Sequence, residues 1–102
     1  MLWDPSKDKP IVDEIGKCYL KAIEVLEQRG WCKGHLSNSK GEVCMAGAIQ
    51  IATSTNAPLR DETLNLMHTT LGTLISKWND APERTKDEVT AKLREMAYAQ
   101  RS

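Results

Sequence analysis

The chain of 102 residues contains no phenylalanine, and only 5% of it is aromatic. Leu, Ile, Val, Met and Ala must therefore fill the interior, with Trp3, Trp31 and Trp78 as large anchors. A buried indole needs a partner for its ring N–H, which places it where a core meets loop carbonyls. Charge of one sign is also missing, since 14 basic residues balance 14 acidic ones. This excludes a global field drawing the protein to nucleic acid or an anionic membrane, and leaves only a local basic patch. No apolar run approaches the ~20 residues that span a bilayer. Met1-Leu2-Trp3-Asp4-Pro5 has neither the basic stretch nor the apolar region of a signal peptide. No membrane association and a cytoplasmic location are the expectation. Cysteine is sparse and odd in number, with Cys18, Cys32 and Cys44. In a reducing compartment that pattern argues for free thiols rather than a disulfide framework.

What is present reads as an all-α, compact four-helix single domain with an irregular loop or short hairpin between helices 1 and 2. Residues 1–10 hold Pro5 and Pro10 among charges and read as an extended N-terminal lead-in, from which Trp3 could dock on the helical domain of residues 11–102. Ile15, Tyr19, Ala22, Ile23 and Leu26 recur at helical spacing between Ile11 and Arg29, and Gly30 follows where a helix turns left-handed at its end. Trp31 is placed to fold back on the last turn. Lys33 to Gly41 is dense in turn formers. Val43 to Thr53 is apolar with small residues at Ala46, Gly47, Ala48 and Ala52, which fits a short, closely packed helix or a buried strand. Leu64, Met67, His68, Leu71, Leu74, Ile75 and Trp78 form one stripe over four turns, with Asp61 and Glu62 in the first turn and Lys77 in the last. Thr85 with Glu88 is a capping box, opening a fourth helix that buries Val89, Leu93, Met96 and Ala97 and runs to about Gln100.

Three constellations could carry chemistry. Cys18, Cys32, His35 and Cys44 make the ligand set of a Cys3His zinc site, but only Cys32 and His35 have the short separation of a metal knuckle. The competing reading makes Cys18 and Cys44 small core residues and Cys32 a loop thiol, with no cofactor. Cys44 near a helix start would gain thiolate character from the dipole, the reason to consider it as a nucleophile beside His35 or His68. His68 sits on the apolar stripe, where a satisfied, partly buried histidine is the ordinary occupant. In the corner Trp78 to Thr85, Asn79, Asp80, Glu83 and Arg84 could bind a ligand or orient a water. They have equal use as caps and turn closers, with Arg84 pairing Asp80 or a carbonyl of the third helix. The expectation is a joint, so that Asp80→Ala weakens folding before any activity. Lys33, Lys40 and Lys77 near Trp31 are diluted by Glu42, Asp80 and Glu83 and read as a solvated face rather than a nucleic-acid patch.

Gly30-Trp31, the Gly41 turn, Cys44 before Gly47-Ala48, and Trp78-Asn79-Asp80 with Pro82, Arg84-Thr85 and Val89 together resemble a family of small uncharacterised proteins from actinobacteria and their phages. The resemblance spans roughly Val12 to Ala97. It implies no assigned activity, and Cys18, Cys32 and His35 are not part of its pattern. A phage setting implies a small protein that contacts a host component in the host cytoplasm. The functional expectation is a non-enzymatic interaction protein binding another protein through Trp31, Lys33, His35, Asn79, Asp80 and Arg84. Ligand-binding or hydrolytic use of the Trp78–Thr85 corner is the alternative, and nucleic-acid binding comes third.

Overall fold

Helix initiation at Asp13 is local: its carboxylate accepts the Gly16 N–H at 2.7 Å, opening α1 (Glu14–Arg29). The computed structural model describes residues 12–99. The expected lead-in over 1–10 and the docking of Trp3 lie outside the described residues. The first helix starts at Glu14 behind its Asp13 cap rather than at Ile11, and the last ends at Ala97 rather than at about Gln100. Gly30 ends α1 with φ 88° and ψ 168°, a pairing open essentially to glycine alone, and returns its N–H to the Leu26 carbonyl. The chain then crosses a loop in which Trp31 and Ser37 both bridge to Val43. These are isolated bridges, and the described residues contain no strand.

Cys44 caps α2 (Met45–Ala52), its sulfur accepting from the Gly47 N–H at 3.3 Å. The apolar stretch after Val43 is thus a helix and not a buried strand. Asn56 caps α3 (Ala57–Leu71), with Pro58 at its start where a missing N–H costs nothing. Asp61 and Glu62 accordingly fall after the first turn. The stripe expected to run unbroken to Trp78 is two helices, because Gly72 turns left-handed at φ 71° and α4 (Ile75–Asn79) starts afresh. Leu74, in phase with the stripe, is 63% exposed. The fold is all-α as expected, with four longer helices and one of five residues among the described residues where four in all were expected. The capping box forms as expected and starts α5 (Lys86–Ala97).

α1 lies against both α2 and α5 and touches α3, so it is the spine of the core. Tyr19, Ala22 and Leu26 from α1 meet Met45 and Ile49 of α2, Met67 of α3, Ile75 of α4 and Leu93 of α5, all fully buried. The Tyr19 hydroxyl donates to the Thr63 carbonyl at 2.6 Å and so satisfies its polar end inside this core. Two glycines allow close approach where a side chain would not fit. A β-carbon at Gly16 would meet the Ala97 carbonyl, and one at Gly47 the Leu36 carbonyl.

Candidate functional site

Asn79, the last residue of α4, has no exposed surface, yet it lies among polar groups of three segments. Its Oδ1 accepts the Trp31 ring N–H at 2.6 Å and the Met45 N–H at 3.1 Å. Its Nδ2 donates to the Cys32 carbonyl at 3.1 Å and to Asp80 Oδ1 at 2.9 Å. The amide thereby fills its full donor and acceptor capacity. One side chain holds the loop, the start of α2 and the end of α4 together.

Asp80 extends the joint. Its Oδ1 also accepts the Gly34 N–H at 2.9 Å. That amide and the Asn79 carboxamide hold the Asp80 carboxyl below its ordinary range against the opposing cost of desolvation, with Lys33 and His35 adding in the same direction. Lys33 donates to the carbonyls of Ala81 at 2.8 Å and Pro82 at 3.2 Å, with its ammonium 5.4 Å from the Trp31 ring centre. Trp31, Lys33, Asn79 and Asp80 are therefore brought together, and all of them brace the loop.

Arg84 stands in a second cluster. Its guanidinium stacks 3.8 Å from the Trp78 ring centre, its Nε donates to the Trp78 carbonyl at 2.9 Å, and Glu88 pairs with it at 3.0 Å. Of the two partners expected for Arg84, the helix carbonyl is the one it takes. His35 is exposed on the loop.

The four residues of the zinc proposal have separate roles. The single S–H of Cys32 has the carbonyls of His35 and Glu42 as alternative acceptors, each 3.5 Å from Sγ, while Cys44 caps α2 and Cys18 lies buried on α1. Among the described residues no three His, Cys, Asp or Glu side chains converge on a metal position. Burial pushes all three thiols up. At Cys44 the Gly47 and Ala46 amides oppose that effect without overcoming it, so the thiolate character expected from the helix terminus is outweighed.

Two hollows flank the loop. One, of about 190 Å³, is lined by Gly34, His35, Leu36, Cys44, Ser76 and Asp80. The other, of about 360 Å³, lies between Leu36, the exposed side of α2 and Arg60 of α3. Leu36 borders both and is 51% exposed. Sequence reading passed over Leu36, Ser76 and Arg60; the available signal was Leu36 as a lone large apolar residue among turn formers.

A family model described as a family of unknown function (DUF6197) matches residues 12–99. No curated protein and no solved structure matches the chain.

Proposed function

The chain belongs to that family of unknown function, and we propose that it is a non-enzymatic interaction domain whose contact surface is the loop from Lys33 to Gly41. One observation carries the reading: Leu36 projects between two hollows from a loop pinned at both ends. At one end Asp80 holds Gly34. At the other Asn38 accepts the N–H groups of Lys40 and Glu42 at 3.0 Å each, and the Asn38 N–H reaches the Glu42 carbonyl. A loop already fixed loses little entropy on binding, which is how a small apolar contact gains affinity. The corner residues expected to touch a partner act one step back, by fixing the loop that does. The partner is a protein of the cytoplasm in which the chain is made, a host protein if the gene is carried by a phage.

Leu36→Glu tests this. The side chain is exposed, so the variant should keep its melting temperature within a few degrees. It should also lose the protein that the immobilised wild-type chain retains from a cytoplasmic extract. Equal retention by both, or specific retention by neither, sinks the reading.

The hollow beside Asp80 favours a second reading, a small-ligand site at the corner, because Asp80, Ser76 and Cys44 line one space. Ser76→Leu, filling that space from the exposed side of α4, should abolish binding of any fragment that shifts the amide resonances of Gly34 and Asp80.

A further inference from the structure

The larger hollow has a mixed lining. Leu36, Val43 and Ile51 are its apolar residues, and Ser37, Gln50, Ser54 and Arg60 its polar ones. Its floor depends on Gly47, where a β-carbon would strike the Leu36 carbonyl, so the loop can lie directly on α2. No acidic side chain lines the groove, and among the described residues Arg60 forms no ion pair. Its neighbours Asp61 and Glu62 are exposed on α3 and lie outside the lining. The groove thus combines a half-buried arginine, whose side chain has no partner among the described residues, with apolar lining residues.

Size narrows the occupant further. A hollow of about 360 Å³ is near the low end of small-ligand sites, the scale of a short segment rather than of a docked helix with its row of anchors. It has room for an apolar side chain and the group next to it. A planar guanidinium with free N–H groups takes a carboxylate through two parallel hydrogen bonds, which an ammonium could not match in geometry.

We propose that the Leu36–Arg60 groove docks an extended segment of a partner protein in which an apolar side chain stands beside the carboxylate of an Asp or Glu. The apolar side chain packs between Leu36 and Ile51, and the carboxylate pairs with Arg60 while Gln50 and Ser54 donate to neighbouring carbonyls. This rests on the loop being the contact surface and names the chemistry of what it contacts.

The test is selection of a yeast-displayed library of random hexapeptides against the immobilised full chain and against Arg60→Glu. Arg60 is only partly buried and lies in the first turns of α3, where a glutamate suits the helix dipole, so the variant should fold. The wild-type chain should enrich peptides pairing Leu, Ile, Val or Met with Asp or Glu. The strongest of these should shift the amide resonances of Leu36, Gln50, Ser54 and Arg60. Arg60→Glu should weaken that peptide about tenfold or more, the size of one charge-assisted hydrogen bond, and should select basic residues instead. Enrichment without acidic residues, no enrichment, or unchanged selection by Arg60→Glu overturns the proposal. If Leu36→Glu still abolishes retention of the partner while Arg60→Glu changes nothing, the acidic segment is wrong and the loop surface stands.

Discussion

Asn79 carries more of this structure than its size suggests. Replacing it with Ala would leave the Trp31 ring N–H, the Met45 N–H and the Cys32 carbonyl without partners in a place largely closed to water. Each stranded buried group costs about 1–3 kcal/mol. Some water will enter the space left by the amide, so Asn79→Ala should lower stability by about 3 kcal/mol, read from urea denaturation. A loss under about 0.5 kcal/mol, the level of an ordinary surface change, would show that the joint is not held by this residue. Asp80 makes a different kind of contribution because it titrates. Its folded carboxyl lies below its ordinary value, so the stability it adds is present above the unfolded pKa of about 4 and is lost as pH falls through the folded value. The wild-type chain should therefore lose more stability than Asp80→Asn between pH 5 and pH 3, a span set by that pKa of about 4. Parallel curves for the two proteins would mean that Asp80 gains nothing from its bonds to Gly34 and Asn79.

At the scale of elements, Gly47 gives a prediction whose sign depends on packing. Glycine inside a helix costs about 1 kcal/mol relative to alanine, so propensity alone makes Gly47→Ala stabilising. The added methyl would collide with the Leu36 backbone carbonyl, and forcing a loop off a packed helix costs about 1–3 kcal/mol. Net destabilisation is expected by thermal melting, together with shifted amide resonances along residues 34–38; a higher melting temperature would show that the loop is not seated on α2. The same contrast between local and tertiary effects explains what could be read in advance. α1 and α5 were legible because their signals are local: Gly30 at the end of α1, Thr85 with Glu88 at the start of α5, and apolar residues every third or fourth place; the Asp13 cap, as local as these, was missed and the start of α1 with it. The break between α3 and α4 was hidden because the apolar period passes through Gly72 and Leu74 without changing phase. Gly72 was its one mark in the sequence. Trp31 and Trp78-Asn79-Asp80 stood out as motifs, but not that Trp31 bonds to Asn79 across 48 positions. The groove at Arg60 had no local signature, since it exists only where a loop, α2 and α3 are brought side by side.

Across the whole molecule, the corner and the helical core share residues. Met45 contributes its side chain to the core and its N–H to Asn79, and Ile75 buries its side chain in the same core four residues before that amide. The loop cannot leave the corner without breaking its backbone bonds to Val43 and Cys44 at the start of α2, and α2 cannot leave without exposing the face of α1 it covers. Such mutual dependence favours one cooperative transition over the separate opening of a module. Indole fluorescence reports the corner through Trp31 and Trp78, while far-ultraviolet circular dichroism reports the helices. In a Trp3→Leu background, which removes the one indole outside the described residues, the two urea curves should share a midpoint. A fluorescence change at distinctly lower urea would mean that the corner opens first. The loop bearing Leu36 would then be mobile under native conditions, and the preorganisation on which its role as a contact surface depends would be gone.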